Sequence, residues 1–477
     1  MLANLPAIRI ASEIIGWVVV VYYLAVNSYF LFLLICAWLD YRQYHRRLVA
    51  LNLDLLFRSP RTPPISILVP AYNEEKTIIE SVRSLLALHY PRLEVVVVND
   101  GSSDGTLEEL TRIFSLRRAD VVYREHIPTQ KVRDIYLSTT VPQIVVVDKE
   151  NGGKADALNV GVNLARSPWV CSVDADAVLE EEGLLRVIRP AIEDPQVVAA
   201  AGIIRIVNGC EVSAGKILSV RLPREPILIF QVLEYLRGFF LGRLGWNLTN
   251  CLMVISGAFG VFRKDALLRV GGYKTTTVGE DMEIVVRLHR KLRDLRIPYR
   301  IVFVPDPVCW TEAPVRLAAL SRQRQRWQRG LCEVVAASRV MLFNPSYGAI
   351  GCLAFPYHAI LELFGPLLEV LGWVVVPVAW ALGILSTLFL LWYLLLSLAL
   401  GTLQTMLAIF LEEIAYRRYG SSRDVMRLFF YSLFEHLGYH QMTVIWRLQG
   451  TWQYLWGSSG WGQQTRVGFR TRRKTTA

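Results

Sequence analysis

The chain of 477 residues holds only seven cysteines, and no two of them form a C-x-x-C pair. That argues against a disulfide framework and against a zinc site, and it suits a domain kept in a reducing compartment. There is no internal repeat and no low-complexity segment, which weakens any transporter reading, since many transporter folds repeat. Two long stretches lack charge altogether: residues 14–39 and residues 370–411. With 53% hydrophobic and 19% charged residues, the chain is too apolar for an ordinary soluble protein and too charged for an all-membrane one. The formal net charge is +11. Much of the excess flanks the apolar runs: Arg42, Arg46 and Arg47 after the first, Arg417, Arg418 and Arg423 after the last long one, then Arg470, Arg472, Arg473 and Lys474. That placement follows the positive-inside pattern and attraction to anionic lipid, and it argues against nucleic acid as a partner.

The apolar runs set the organisation. Residues 14–39 are long enough to span a bilayer and too long for a signal-peptide core, so they predict a retained anchor with the following domain cytoplasmic. Near the other end, 349–383 predicts a transmembrane helix kinked around Pro356 and Pro366, and 387–411 a second one after a turn near Gly383 to Ser386. Residues 425–447 are amphipathic, which fits an interfacial, re-entrant or fourth membrane segment. Residues 448–477 form a basic cytoplasmic tail. The expected location is the inner or plasma membrane.

Between these flanks, residues 63–342 read as a cytoplasmic α/β domain with interfacial helices. Ile65–Pro70, Leu93–Val98, Ile144–Val147 and Trp169–Val173 are short apolar strands, the first three each followed by a polar turn and a helical stretch and the fourth by an acidic turn. The alternation predicts a mostly parallel sheet. Ligands then bind beyond the carboxyl ends of the strands, where Tyr72, Asp100 and Asp174 fall. Asp174-Ala175-Asp176 offers two carboxylates from one tight turn, a pattern suited to Mg²⁺ or Mn²⁺ carrying a diphosphate. Farther on, Met253–Arg263 reads as a strand meeting a glycine turn, and Leu317 to about Leu342 as a helix.

The ordered set Val69-Pro70-Ala71-Tyr72-Asn73-Glu74, Asn99-Asp100-Gly101-Ser102, Lys154-Ala155-Asp156-Ala157-Leu158-Asn159, Asp174-Ala175-Asp176, Gly279-Glu280-Asp281 and Gln323-x-x-Arg326-Trp327 resembles the processive membrane glycosyltransferases of family 2. These include cellulose, chitin, hyaluronan and bacterial poly-N-acetylglucosamine synthases. Ser256-Gly257-Ala258-Phe259 and the single leading anchor lean toward the last type.

The resemblance implies a GT-A fold flanked by transmembrane helices, and inverting transfer from a UDP-sugar to a growing glycan coupled to export. UDP-N-acetylglucosamine is the first choice and UDP-glucose the second. Tyr72 would stack on the base, with Glu74 and Asp100 accepting hydrogen bonds from uracil or ribose. Lys154 would meet the pyrophosphate. Asp174 and Asp176 would bind donor and metal. Asp281 is the implied catalytic base. Gln323 and Arg326 would hold the donor diphosphate, with Trp327 against the acceptor sugar on the same helix face. Ser256 and Gly257 would shape the acceptor site, although a plain turn explains them equally well. A basic helix lying on anionic lipid accounts for Arg322, Arg324 and Arg329. Glu362 and Glu369, seven apart, either line a polar path for the glycan or sit at the interface. An accessory membrane subunit is compatible with this plan. Two other readings remain: a non-processive transferase acting on a lipid carrier, and a non-catalytic receptor or scaffold that keeps the sugar-nucleotide fold.

Overall fold

The computed structural model describes residues 6–48, 53–213 and 215–457. The basic residues from Arg466 onward lie outside that range. The described chain divides into two units: one holds Gln43–Pro223 and Leu252–Ala313, the other the chain through Arg42, Arg224–Cys251 and the part that begins at Pro314.

The first unit is built on a sheet. Its strands in chain order are β1 (Ile65–Ala71), β2 (Leu93–Asn99), β3 (Leu116–Arg118), β4 (Val132–Ser138), β5 (Ile144–Lys149), β6 (Trp169–Val173), β7 (Val178–Leu179) and β8 (Val197–Ile206). They continue with β9 (Glu211–Ser213), β10 (Lys216–Ser219), β11 (Phe259–Arg263) and β12 (Arg300–Thr311). Strands β9 and β10 form a separate hairpin, and the other ten make one sheet in the order β3-β4-β5-β2-β1-β6-β11-β8-β12-β7.

The middle of the sheet, β5-β2-β1-β6, is parallel. Its strands are almost wholly buried valine, isoleucine and leucine, the composition of a sheet covered on both faces. Outside that core the expectation of a mostly parallel sheet holds only where β12 runs parallel to β8: β4 runs antiparallel to β5, and β11 runs antiparallel to both β6 and β8. The strand at Val132–Ser138 carries too little continuous apolar character to announce itself. Met253–Arg263 is likewise strand only from Phe259. The helical stretch after the first strand, expected to open within Ala71–Glu75 and run to about Leu88, spans Ile78–Leu86, because residues 74–77 close a turn of their own.

Register puts the strand ends level. Ala71 pairs with Asn99, Asn99 pairs with Asp148, and β1 also runs parallel to β6. Tyr72, Asp100, Glu150 and Asp174 are therefore the first residues beyond four neighbouring strands on one edge. The helix Lys154–Leu164 lies beneath that edge with ten of its residues buried, and Gly161 lets it approach Leu68 of β1 closely.

The second unit is helical. Pro6–Leu48 is one continuous helix of 43 residues. Three helices among the described residues are long and apolar enough to cross a membrane: Ile10–Arg46, Ile350–Ala381 and Thr387–Ala415. The second contains π-type turns at Ile350–Ala354 and Tyr357–Glu362, and Pro366 and Pro377 lie inside its later part. Such turns and prolines are the usual causes of kinks. Between Ser422 and Leu455 the chain forms two helices, because Leu437 and Gly438 leave helical backbone angles.

Candidate active site at the carboxyl edge of the sheet

Loops knit the edge together. Asn73, in the left-handed region at φ 56°, donates its amide to the Ser102 hydroxyl and accepts from the Ser103 amide. Glu75 is held in the same way, its amide donating to Asp104 Oδ2 and its Oε2 accepting from the Gly105 amide. Gly101 stands at φ 68°, and a Cβ there would come within 2.8 Å of the Asn151 backbone nitrogen. Only glycine lets the β2 and β5 loops meet this closely.

Tyr72 presents an exposed ring at the end of β1. Glu74 is half-buried, and its Oε2 accepts from the Thr77 hydroxyl at 2.6 Å, so part of its carboxylate closes the local turn. Asp100 faces inward. Its Oδ1 accepts from Lys149 Nζ at 2.5 Å and from the Gly152 amide at 3.0 Å, and its Oδ2 accepts from the Gly153 amide at 2.8 Å.

Lys154 opens the buried helix and is the hub of the site. Its ammonium lies 2.5 Å from Asp174 Oδ1, donates to the Gly257 carbonyl at 3.1 Å and sits 3.9 Å from Glu280. Burial alone would lower its pKa; Asp174, Glu280 and Asp281 outweigh that and hold it above the ordinary lysine value, so it stays charged. Asp174 and Asp176 are both half-buried in a turn closed by the Ala177 amide on the Asp174 carbonyl.

Asp281 sits in the first turn of the helix Glu280–Asp294. Its Oδ2 accepts from the Gly257 amide at 3.2 Å and its Oδ1 from the Met282 amide. Gly257 therefore touches Lys154 through its carbonyl and Asp281 through its amide. Ser256 accepts weakly from the Ala258 amide at 3.4 Å. The structure thus brings Lys154, Asp174, Gly257 and Asp281 into one chain of contacts.

The residues fit a hard divalent cation of a particular kind. Among the described residues no cluster of three His, Cys, Asp or Glu side chains could hold a metal ion. Asp174 and Asp176 supply two carboxylates, and Mg²⁺ or Mn²⁺ commonly takes one or two of these and completes its shell with phosphate oxygens and water.

Gln323, Arg326 and Trp327 lie in the helical unit, on the helix Leu317–Ala337. Trp327 is partly exposed and packs beside Phe239. Between these residues sits Arg324, which the lipid-facing expectation misplaced. It is 2% exposed, pairs with Glu234 at 2.6 Å, donates to Gln323 Oε1 at 2.8 Å and stacks 4.2 Å from the centre of the Trp327 ring. Arg329 is buried as well, whereas Arg322 is exposed. Charge count alone could not tell these arginines apart; the apolar helix Pro226–Tyr235, with one lone glutamate, was the available signal. Glu362 accepts from Tyr357 and pairs with Arg447 at 2.9 Å, while Glu369 accepts from Tyr22 at 3.0 Å and from His440 at 2.6 Å. Both carboxylates are occupied by bonds between helices.

Sequence reasoning named neither Lys149 nor Glu280 as a site residue. Lys149 ends a wholly buried strand whose first four residues are apolar, which is an unusual place for an ammonium. Glu280 stood inside the Gly279-Glu280-Asp281 motif.

Known proteins share this architecture. The fold is that of GT-A glycosyltransferases: a mannosyltransferase of Pyrobaculum calidifontis, solved with GDP-Man and Mn²⁺, superposes with a TM-score of 0.53 at 19% identity, covering 92% of this chain and 100% of that one. A poly-beta-1,6-N-acetyl-D-glucosamine synthase of Staphylococcus epidermidis is 31% identical over 287 residues, 60% of this chain and 59% of the relative. Its namesake in Staphylococcus aureus strain COL is 30% identical over 271 residues, 57% and 55% of the two chains. The chain thus spans somewhat more than half the length of the curated relatives it matches. The model of glycosyltransferase like family 2 matches residues 63–330, more than half of the 477 residues, and the chain belongs to that family.

Proposed function

We propose that this chain is a membrane-embedded inverting glycosyltransferase. It takes sugar from a UDP-sugar, with UDP-N-acetylglucosamine as the first candidate, and adds it processively to a glycan that is exported as it grows. The observation that carries the reading is the contact chain Asp174–Lys154–Gly257–Asp281, which puts a cation for phosphate beside a carboxylate fit to take a proton. The synthases that resemble this chain point the sugar toward N-acetylglucosamine.

The chemistry follows from the residues. An acceptor hydroxyl oxygen bonds to the anomeric carbon as the bond from that carbon to the diphosphate oxygen breaks. The hydroxyl proton passes to Asp281, and the electron pair leaves with UDP. Lys154 balances the charge that grows on the leaving diphosphate. Its present partner Asp174 is only half-buried, so the pair can open to admit phosphate. Asp174 and Asp176 would hold Mg²⁺ or Mn²⁺, which supplies further neutralisation of the diphosphate. Tyr72 offers its exposed ring to the base, and Asp100, ringed by fixed donors, keeps an unused lone-pair direction on Oδ2 for the nucleoside. The Ser256-Gly257 turn supplies the acceptor side, and the assignment of Trp327 to the acceptor and of Gln323 and Arg326 to the diphosphate rests on their motif. The membrane helices hold the enzyme in the bilayer with its sheet domain in the cytoplasm.

The test is release of UDP from a panel of UDP-sugars by detergent-purified protein, with sizing of the product. Turnover of UDP-N-acetylglucosamine into long chains supports the reading. Single additions would leave the lipid-carrier alternative, and no turnover of any UDP-sugar would favour a non-catalytic scaffold.

A further inference from the structure

Beneath the site lies a buried lysine that the proposed chemistry does not use. Lys149 is the last residue of β5, and its side chain is fully buried. A lysine at 0% exposure is expensive unless every N–H and the charge itself are satisfied. Here they are. The ammonium has three hydrogens and three acceptors: Asp100 Oδ1 at 2.5 Å, Asp156 Oδ2 at 2.7 Å and the Glu150 carbonyl at 2.5 Å. Asp100 and Asp156 are themselves 3% and 4% exposed, so one cation serves two buried carboxylates.

The three partners belong to the parts that would grip the nucleotide. Asp100 is the first residue after β2, and parallel register between β2 and β5 sets it beside Lys149. Asp156 is in the first turn of the helix that begins with Lys154. Glu150 starts the loop whose Gly152 and Gly153 amides also bond Asp100. Gly153 stands at φ 85°, so that loop cannot settle by ordinary backbone preference and depends on what it is tied to. Asp156 also accepts from the Gln130 amide, which anchors its far side.

We propose that Lys149 is a positioning residue for the donor nucleotide. It never touches the donor; it fixes the Asp100 carboxylate and, through Asp156 and the glycine loop, the start of the helix that carries Lys154. Without the ammonium, two buried carboxylates lie near each other with no counter-ion, and Asp100 keeps only the Gly152 and Gly153 amides of the three donors that fix its rotamer. The inference rests on the proposed UDP-sugar site.

The test uses the full chain in detergent and reads UDP binding by calorimetry together with donor KM and kcat. Lys149→Met should weaken UDP binding at least tenfold and raise donor KM to match, with kcat falling less than threefold. Lys149→Gln/Asp156→Asn removes the cation and the surplus carboxylate together, so it should fold even where the single variant does not. Its UDP affinity should lie between those of Lys149→Met and the wild type, because the repulsion between carboxylates is gone while Asp100 still lacks its cation. If the folded double variant binds UDP within twofold of the wild type, or if its defect falls on kcat alone, the inference is overturned. If the wild-type chain itself neither binds UDP nor releases it from a UDP-sugar, the functional reading falls and takes this inference with it.

Discussion

The rim of the sheet edge and the interior of the helical unit hold charge in opposite ways, and Lys149 beneath that rim is enclosed like the second. At the sheet edge, the Lys154–Asp174 pair keeps about a fifth of each side chain in contact with solvent, 19% and 24%. In the helical unit, Arg324 and Glu435 are almost wholly enclosed in their pairs with Glu234 and Arg237, and Glu369 is bonded on both oxygens. Burial pulls Arg324 toward losing its proton, but the adjoining Glu234 holds its pKa above the ordinary value. A half-exposed pair can exchange its partner for a ligand at small cost, whereas breaking an enclosed pair strands a charge. The difference separates ions available for chemistry from ions fixed in architecture, and neither kind can be told from the other by composition.

That comparison can be broken experimentally. The largest effect should come from Asp174→Asn combined with Asp176→Asn: sugar transfer should drop at least about 10²-fold while the melting temperature of the purified protein stays near wild type. A collapse in stability instead would place these residues among the architectural ions. Arg324→Met should do the reverse. Removing one partner of an enclosed pair costs about 3–5 kcal/mol, so the protein should melt earlier in detergent. Trp327, deprived of the guanidinium on its face, should also become more accessible to indole-reactive reagents.

Acid should reveal a third buried group. His289 is fully enclosed, with Nδ1 beside the Tyr299 hydroxyl at 2.7 Å and Nε2 beside the Leu252 carbonyl at 2.9 Å. Burial pushes its pKa down to about 4 from an ordinary 6.5. The unfolded chain therefore takes up the proton first as pH falls. Stability tied to His289 is fully present above pH 6.5 and drains away between there and about pH 4, by about 3 kcal/mol in all. Melting curves from pH 7 to 4.5 should show that slope, and His289→Gln should flatten it. The smallest effect is expected from Trp327→Phe, which keeps an aromatic face: the acceptor dependence of chain growth should worsen by less than about tenfold, with UDP affinity unchanged.

Much of the sheet edge was legible in the sequence because it is local. A strand of four or five apolar residues followed by Tyr72, Asp100 or Asp174 announces both the strand and the end at which ligands gather. The uncharged runs were legible for the same reason: nothing but length and composition is needed to mark Ile10–Arg46 as able to cross a membrane. What escaped was long-range. Strand β11 settles antiparallel between β6 and β8, both far from it in the chain. Lys149 lies just past the apolar run Ile144–Val147, and it is enclosed by carboxylates from 49 positions before it and from the helix just after it. Arg324 looked like its neighbour Arg322 until Glu234, 90 positions away, claimed it. A residue's type shows that it can bear charge, and its distant partners decide what the charge is for.

The account turns on Asp281 as the proton acceptor beside Lys154. The most direct measurement compares wild type and Asp281→Asn, supplied with UDP-N-acetylglucosamine and Mg²⁺ or Mn²⁺, for UDP binding and for UDP release with product sizing. Asparagine keeps the shape and can still accept from Gly257. The account predicts UDP binding within a few fold of wild type and release lower by about 10²–10⁴-fold, with no polymer. Undiminished release from Asp281→Asn would contradict it.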